Sequence, residues 1–485
     1  MQAGLIYYMA KILLISPPYL DLYGELNTAA GRYFPLGLGY IASYLRQRGG
    51  HEVRMYEPEA QGLTYDDLAG VMSEFKPDVV GLTCSTPNFY RSVELARLAK
   101  ANSQAKIVLG GVHASALPEF IAEAYAGVFD FIVVGEGEIA MLELAKTLEN
   151  NGDMQKIRGI VYMKDGKAVR TGGMPFIDDL DSIPFPARDL IPQDLFWPNV
   201  HNARYRKCMS ILTSRGCPFN CSFCASRIVS GKKYRMHSAE YVLEEMEMLR
   251  NHYGAQQLII TDDTFTINHE RLEKICRGMI DKRLDLSWFC FSQVTAVNRE
   301  VLKLMKSAGC YNIGFGVESC DEGILQRMGK PIKPEKAVEA VRLAKEAGLK
   351  TQAFYIFGSP GETEKQMEDT IAFAKRVGST LAFFNMLVPF PGTKEFDYYF
   401  SAVPLNGIAW KDFVAVGEAC VLKNAAVPAD VIQQLIARAN REYYLSPRRM
   451  LDLLYHIRTT YELMNYIRGG AGLFRQIVKW MGGTA

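Results

Sequence analysis

The sequence predicts an α/β protein with a doubly wound parallel sheet, a partial six-unit β/α barrel and a helical region at its end. Short apolar strand candidates alternate with helical periods twice, once in 10–150 and once in 206–400. The stretch between them, 151–205, is rich in proline and lacks a helical period over most of its length. We therefore expect four parts, the last being the helical region 401–485.

The first part combines five short apolar segments with longer helical periods. The periods at 35–49, 88–101 and 139–150 separate the strand candidates, which favours parallel strands joined by crossover helices. Ligands of such sheets bind beyond the carboxyl ends of the strands. The strand candidates are 11–16, 52–56, 78–84, 106–110 and 130–134, and the glycine-rich turns at their carboxyl ends are Gly110-Gly-Val-His113 and Gly135-Glu-Gly-Glu138.

The second part separates into a hairpin and a linker. Residues 158–171 alternate around an Asp-Gly turn, which predicts a β-hairpin. Residues 173–200 hold five prolines, which predicts an ordered linker without a long helix.

The third part repeats the alternation of strands and helices six times. Helical periods such as 239–253 and 334–347 fill the gaps between the strand candidates. Six units with parallel crossovers predict a partial barrel, whose active site lies on the loops that follow the strands. The strand candidates are 209–213, 257–261, 287–292, 312–317, 351–357 and 381–388.

Composition limits the class of protein. A net charge of +2 over 485 residues gives no electrostatic footprint for nucleic acid, so we expect no such partner. Ten scattered cysteines in a chain of this size indicate a reducing compartment. No apolar run reaches the length of about 18 residues that a membrane span needs, and the start shows no signal-peptide pattern. We therefore expect a cytoplasmic protein.

The strongest functional signal is a cysteine-rich loop that follows the first strand candidate of the barrel. Cys217, Cys221 and Cys224 place three thiols within eight residues, in the spacing C-x3-C-x2-C. Three ligands on one inorganic centre leave a coordination position open for chemistry. A structural zinc site is the alternative, with Cys208 or His201 as its fourth ligand. An iron–sulfur cluster with one open iron is favoured, because no second C-x2-C element is present.

The loop Cys217-Pro-Phe-Asn-Cys-Ser-Phe-Cys224, placed after the first strand of a six-unit barrel, resembles the radical S-adenosylmethionine superfamily. The resemblance implies a 4Fe-4S cluster on the three cysteines, with S-adenosylmethionine bound at the fourth iron. Reductive cleavage then yields a radical that abstracts hydrogen from the substrate. The resemblance also implies an external one-electron donor similar to flavodoxin or ferredoxin.

Further matches to this superfamily lie at later strand ends of the barrel. For Asp262 or Glu318 alone, an ordinary cap of a strand end is the alternative interpretation. One departure is Gln293, because many relatives have an arginine in this strand. The resemblance implies that the S-adenosylmethionine site includes Phe223, Asp262, Ser292, Glu318, Gly358 and Pro360.

The first part resembles the Rossmann-like cobalamin-binding domain that precedes the barrel in one large subgroup. Glycines in its turns would let the backbone approach the corrin and its nucleotide tail. The chain lacks the Asp-x-His-x-x-Gly run that supplies an axial histidine, so His113 is not proposed as a cobalt ligand; a hydrogen-bonded loop histidine is the alternative. The resemblance implies that the cobalamin site includes Ser85, Gly110, Gly111, His113, Gly135, Glu136 and Gly137.

Three functional hypotheses follow. The first is methylation of an unactivated carbon in a small-molecule, lipid or tetrapyrrole substrate. The second is a cobalamin-dependent radical cyclisation or rearrangement without net methyl transfer. The third is a non-catalytic metal-binding scaffold or redox sensor. The basic amphipathic segment 473–481 either lies on a membrane surface or packs on the barrel as a cap.

Overall fold

The structure is a computed structural model that describes residues 9–27, 30–150, 152–173, 176–414, 421–422 and 425–482. The side chains of 25, 26, 447, 448, 450 and 472–482 are outside that description. The basic segment 473–481 therefore lies in a described helix, but the face that its side chains form lies outside the described residues.

The first sheet has seven strands in the order β2-β1-β3-β4-β5-β6-β7. Its first five strands are parallel, and the order reverses beside β1, as in doubly wound folds that bind ligands at this point. The predicted hairpin extends this sheet, because β6 pairs antiparallel with β5. The strands are β1 Lys11–Ile15, β2 Glu52–Tyr56, β3 Val79–Thr83, β4 Lys106–Gly110, β5 Phe131–Val133, β6 Ile160–Lys164 and β7 Lys167–Arg170.

The second sheet has six parallel strands, which pair in chain order as in an open β/α barrel. A separate two-stranded ribbon, β9 Ser214–Arg215 with β10 Arg235–Met236, flanks the cysteine loop. The predicted fold class is confirmed, while the exact domain boundaries stay predictions. The barrel strands are β8 Cys208–Ile211, β11 Gln257–Ile260, β12 Ser287–Ser292, β13 Cys310–Glu318, β14 Lys350–Phe357 and β15 Leu381–Met386.

Helices cover both faces of the first sheet and the outer face of the second. No helix in the described ranges is both long and apolar enough to span a bilayer. In the first sheet's domain the helices are α1 Leu36–Gly49, α2 Pro58–Gln61, α3 Tyr65–Phe75, α4 Phe89–Asn102, α5 Val112–Ala116, α6 Pro118–Ala124 and α7 Gly137–Glu149. Those of the barrel are α8 Ser226–Ser230, α9 Ala239–Asn251, α10 His269–Asp281, α11 Arg299–Ser307, α12 Glu322–Arg327, α13 Glu335–Glu346, α14 Glu364–Val377 and α15 Lys394–Phe400. The last three are α16 Ala429–Tyr444, α17 Pro447–His456 and α18 Thr460–Gly482.

The two faces of the barrel sheet differ in exposure. On β14, Ala353, Tyr355 and Phe357 are fully buried against the helices. Phe354 and Ile356 alternate with them and stay partly exposed. Because successive side chains of a strand point to opposite faces, these residues line the open interior of the barrel, which we call the lumen.

A polar network closes the amino-terminal end of the lumen. The Asn202 carbonyl oxygen accepts a hydrogen bond from the Tyr311 hydroxyl at 2.8 Å. Its side-chain oxygen accepts from the amides of Gln352 at 2.6 Å and Asn312 at 3.1 Å. All four side chains are buried, so their hydrogen bonds are needed to offset the cost of desolvation.

A buried carboxylate attaches the last helix to this same end. Glu462 of α18 lies 3.7 Å from the Lys350 ammonium and 3.6 Å from the Arg204 guanidinium. Burial lowers the pKa of Lys350 to about 8, and Glu462 opposes that shift. The pair is almost completely desolvated, so each charge depends on the other.

We predict that Glu462→Ala lowers the free energy of unfolding by about 3–5 kcal/mol, because it leaves buried cations without a partner. Denaturant unfolding followed by tryptophan fluorescence measures the loss. The matched control is Glu442→Ala, which removes a half-exposed carboxylate paired with Lys375 and Arg438 and should cost at most about 1 kcal/mol. Equal losses in the two variants would contradict the prediction.

Candidate functional site

The three cysteines of the predicted cluster lie on the loop between β9 and α8. Their thiols are partly exposed, and the amide of Cys224 donates a hydrogen bond to the carbonyl oxygen of Cys221 at 3.3 Å. Burial raises the pKa of the Cys221 thiol to about 11, and the thiols of Cys217 and Cys224 add to this increase. All three thiols are therefore accessible from this one loop.

A buried carboxylate anchors the start of this loop. Asp262 follows β11 and accepts hydrogen bonds from the amide and hydroxyl of Thr213, both at 2.6 Å, and from the hydroxyl of Ser214. Arg271 binds the carbonyl oxygen of Thr213 at 2.8 Å. The Asp262 side chain is fully buried and both of its oxygens are engaged. It therefore holds the loop, and its predicted contact with S-adenosylmethionine stays a prediction.

Two later segments hold the middle of the loop. The Ser222 amide donates to the carbonyl oxygen of Met328 at 2.9 Å, and the Ser222 hydroxyl donates to the carboxylate of Glu395. Gly329 packs so closely that an added Cβ would lie 2.2 Å from the carbonyl oxygen of Asn220, and its φ is +69°. The cysteine loop is therefore fixed by contacts that come from α12 and α15.

An ion pair lies beside the cysteines at the end of β13. The Lys330 ammonium is 2.9 Å from the Glu318 carboxylate and 2.7 Å from the carbonyl oxygen of Gly316. Glu318 has a φ of +67°, which is a strained conformation for a residue with a side chain. Lys330 lowers and Glu318 raises the pKa of Cys221, so the pair faces the cluster loop. The pair places both signs of charge beside the cysteine loop, and the predicted S-adenosylmethionine contact of Glu318 stays a prediction.

Lys330 was not predicted from the sequence. It is a single lysine after α12 and belongs to no recognisable motif. It reaches Glu318 only because the chain folds back after α12 toward the end of β13. The partly buried Phe223 packs against the hydrophobic core of the barrel. Ser292 is buried, and its hydroxyl lies 2.5 Å from that of Thr266. The S-adenosylmethionine contacts of Phe223 and Ser292 stay predictions.

The predicted turn after β14 is held by its own glutamate. The amides of Gly358 and Ser359 donate to Glu362 at 2.8 Å and 3.0 Å, and the Gly358 carbonyl oxygen accepts from the Tyr399 hydroxyl at 3.0 Å. Burial raises the pKa of Glu362 to about 7. Pro360 is partly exposed at the tip of the turn. These hydrogen bonds hold the shape of the turn, and the predicted ligand contacts of Gly358 and Pro360 stay predictions.

A cavity of 360 Å³ lies at the carboxyl ends of the first sheet's parallel strands, between the sheet and helices α1 and α7. Gly111 closes it on the side of β3. Its φ is +97°, and an added Cβ would lie 2.4 Å from the carbonyl oxygen of Cys84. The cavity brings together five of the predicted cobalamin residues: Gly110, Gly111, Gly135, Glu136 and Gly137.

The other two predicted cobalamin residues lie outside the cavity lining. The amide and hydroxyl of Ser85 donate to the side-chain oxygen of Asn88 at 2.8 Å and 2.9 Å. His113 is buried, its ring lies 4.9 Å from that of Trp410, and its Nδ1 is 3.3 Å from the hydroxyl of Thr86. Burial lowers the pKa of His113 to about 3. These contacts favour the interpretation of His113 as an internal, hydrogen-bonded residue.

The cavity and the cysteine loop meet at a buried cluster of charges, which we call the interdomain ion cluster. Arg215 lines the cavity two residues before Cys217, and it binds Glu138 at 2.6 Å and Glu136 at 3.5 Å. Arg235 donates to Glu136 at 2.9 Å. All four side chains are at most 6% exposed, so their charges depend on one another.

These residues fit the groups that the sequence implied. The three thiols offer soft ligands for iron and leave one coordination position open. The cavity lies within the usual range of about 300–1,000 Å³ for small-molecule sites, and it suits the nucleotide end of cobalamin better than a whole corrin. Each site is assembled by long-range contacts. Each also lies at the carboxyl ends of the strands of its sheet, where ligands of such folds bind.

Neither candidate for the fourth ligand of a zinc site lies beside the loop. Cys208 begins β8, whereas the cysteine loop follows the other end of that strand. The His201 ring lies 4.8 Å from the ring of Phe383 in the lumen. In the described part of the chain, no three His, Cys, Asp or Glu side chains converge on a single-ion site. Ligands of a multi-iron cluster bind different irons and therefore stand further apart.

Comparison with known proteins identifies the family. The model of the radical SAM superfamily matches residues 211–374, and that of the B12 binding domain matches residues 25–145. A protein of Pyrococcus horikoshii, described as an uncharacterized methyltransferase, is 35% identical over 448 residues, which cover 92% of this chain and 95% of the relative. The chain therefore belongs to the cobalamin-dependent radical S-adenosylmethionine enzymes. The predicted family and enzyme class are confirmed, together with the cofactors that define them.

Other relatives show how varied this family is. The anaerobic magnesium-protoporphyrin IX monomethyl ester cyclase of Rubrivivax gelatinosus is 30% identical over 390 residues, covering 79% of this chain and 68% of the relative. The methyltransferase TsrM of Kitasatospora setae, solved with cobalamin and a [4Fe-4S] cluster, has the same fold. It has a TM-score of 0.66 at 21% identity, covering 81% of this chain and 75% of TsrM.

We predict that Cys217→Ala, Cys221→Ala and Cys224→Ala each lower bound iron and the iron–sulfur absorbance at least about tenfold after anaerobic reconstitution, because each removes one cluster ligand. Iron and sulfide analysis measures the loss. The control is Cys320→Ala, a partly buried thiol outside the loop, which should keep its iron. Full iron retention in any of the three loop variants would disprove the ligand assignment.

We predict that substitutions of two adjacent glycines of the cavity affect different properties, namely stability and cobalamin binding. Gly111→Ala should lower the free energy of unfolding by about 1–3 kcal/mol or more, because of its positive φ and the contact with Cys84. Gly110→Ala should fold normally, since its added Cβ would come no closer than 3.9 Å to Val133, yet it should retain less cobalamin. Thermal melting and cobalamin absorbance after gel filtration separate the two effects. Unimpaired cobalamin retention by Gly110→Ala would contradict the assignment of the cavity.

Proposed function

We propose that this enzyme methylates an unactivated carbon atom of a small-molecule, lipid or tetrapyrrole substrate. One observation carries the proposal: the residues that flank the cysteine loop on both sides also line the cavity of the first sheet. Leu212 and Arg215 precede the loop, and Val229 and Ser230 follow it. This adjacency supports two cofactors that act on one substrate.

The chain's own residues would bind and orient the cofactors. The cluster and S-adenosylmethionine supply a hydrogen-abstracting radical, and cobalamin supplies the methyl group. Cys217, Cys221 and Cys224 would hold the cluster, and the pair Glu318–Lys330 would bind the charged end of S-adenosylmethionine. The interdomain ion cluster would keep the cobalamin cavity at a fixed distance from the thiols.

The lumen supports a substrate with an apolar carbon framework. Phe354 and Phe383 stack with their ring centres 4.9 Å apart, and Phe291 lies 5.9 Å from Phe354. Gly314 lies between the strands of Phe291 and Phe354, where an added Cβ would come within 2.9 Å of the Phe291 ring. All three rings stay partly exposed, and burial of such surface favours apolar ligands.

A radical cyclisation or rearrangement without net methyl transfer is the second candidate. The identity of 30% with the magnesium-protoporphyrin cyclase favours it. The third hypothesis, a non-catalytic scaffold or redox sensor, is disfavoured by the match to an enzyme family. We further propose a cytoplasmic location and a flavodoxin-like or ferredoxin-like electron donor, because the described cysteines are free thiols and the cluster requires single electrons.

We predict that the reduced, cofactor-loaded enzyme makes S-adenosylhomocysteine and 5′-deoxyadenosine in equal amounts when it is given its substrate. Anaerobic incubation with an extract of lipids and pigments, using S-adenosylmethionine with a deuterated methyl group, identifies the labelled product by mass spectrometry. The variant lacking all three loop cysteines is the control and should make neither compound.

The products distinguish the three hypotheses. Formation of 5′-deoxyadenosine with product but without S-adenosylhomocysteine would replace methylation by cyclisation or rearrangement. An iron-loaded and reduced enzyme that leaves S-adenosylmethionine intact with every extract fraction would refute both catalytic proposals.

A further inference from the structure

An exposed apolar surface lies on helices α17 and α18. The described chain exposes twelve large apolar side chains, and six of them fall between residues 451 and 467. Elsewhere such side chains are scattered singly, which is normal for a protein surface. We call the six residues the C-terminal apolar surface: Leu451, Leu454, Tyr455, Leu463, Met464 and Ile467.

The exposure of this surface is large and follows the helical repeat. Tyr455 is 70% exposed, Leu451 68% and Ile467 64%. Leu451, Leu454 and Tyr455 follow the i, i+3, i+4 spacing that places side chains on one face of α17. Leu463 and Ile467 lie four residues apart on α18, so each helix presents an apolar face to solvent.

The acidic and basic side chains of this segment lie in different surroundings. Asp452 is paired with Lys345 at 2.8 Å, and Glu462 is buried against the barrel. No other acidic residue occurs between 445 and 470. Arg458, in the connection between the helices, and Arg468 are both exposed. The acidic groups therefore face the protein, whereas arginines accompany the exposed apolar side chains.

We propose that the C-terminal apolar surface docks this enzyme onto an anionic lipid bilayer. Amphipathic helices with apolar residues beside arginines lie in the membrane interface, where the apolar side chains enter the acyl boundary and the arginines bind anionic headgroups. Tyr455 has the amphipathic ring that is enriched at this depth. The absence of an exposed carboxylate from this part of the described chain favours an anionic bilayer over a protein with mixed charges.

Helices α17 and α18 contain no predicted cofactor residue, so membrane docking does not depend on the reaction. The remaining length of α18 carries the basic sequence 473–481, whose side chains are outside the described residues. Arg475 and Lys479 of this sequence would add to the attraction if they share the face of Arg468.

The test is sedimentation of the full-length, cluster-loaded protein with vesicles of equal parts phosphatidylcholine and phosphatidylglycerol. The combined substitution Leu451→Ser, Leu454→Ser and Ile467→Ser should weaken partitioning at least about tenfold. Arg458→Gln and Arg468→Gln should each weaken it about fivefold, and added salt should reduce the difference.

The matched control is the combined substitution Ile280→Ser and Tyr398→Ser, which removes two exposed apolar side chains elsewhere and should leave binding unchanged. Thermal melting checks that every variant folds. Equal binding to pure phosphatidylcholine vesicles, or full binding by the triple serine variant, would overturn the proposal.

Sedimentation equilibrium distinguishes the other occupants of the surface. A dimer that the triple serine variant dissociates, without any vesicle binding, would assign the surface to a second copy of the chain. A protein that neither binds vesicles nor self-associates would assign it to a protein partner. Either result would also overturn the proposal.

Discussion

The interdomain ion cluster is the interaction on which the arrangement of the site depends. Arg215 and Arg235 come from the ribbon that flanks the cysteine loop, and Glu136 and Glu138 come from the turn after β5. Buried charges must be paired, and removal of one partner typically costs about 3–5 kcal/mol. The two domains therefore cannot separate here without a large energetic cost, and the cavity stays beside the thiols.

The same requirement for pairing explains why several conspicuous carboxylates bind the backbone of the loops around them. A loop that leaves a strand end exposes backbone donors and acceptors, and buried groups of this kind need partners. Asp262 satisfies the donors of Thr213, and Glu362 satisfies the amides of Gly358 and Ser359. Glu318 differs because its partner is the ammonium group of the Lys330 side chain. A charged ligand could replace Lys330 as that partner.

The sequence was sufficient to predict the features that depend on local patterns. Alternating strands and helices predicted both sheets, and the spacing of Cys217, Cys221 and Cys224 predicted a shared centre, because neighbours along the chain determine both. Features that depend on distant segments were missed. The pairing of β6 with β5, the position of Lys330 and the packing of Trp410 on His113 each join parts of the chain without a local signal.

The two ends of the barrel have different roles, and this limits how a substrate can enter. Asn202 and its buried partners fill the amino-terminal end, and Glu462 attaches α18 beside them. Opening this end would break several buried hydrogen bonds at once, at about 0.5–1.5 kcal/mol for each. The closed end therefore disfavours entry from that side and favours entry from the carboxyl ends of the strands. Because the cysteine loop and the cavity of the first sheet meet at these carboxyl ends, a molecule that enters there would pass both proposed cofactor sites before it contacts Phe354.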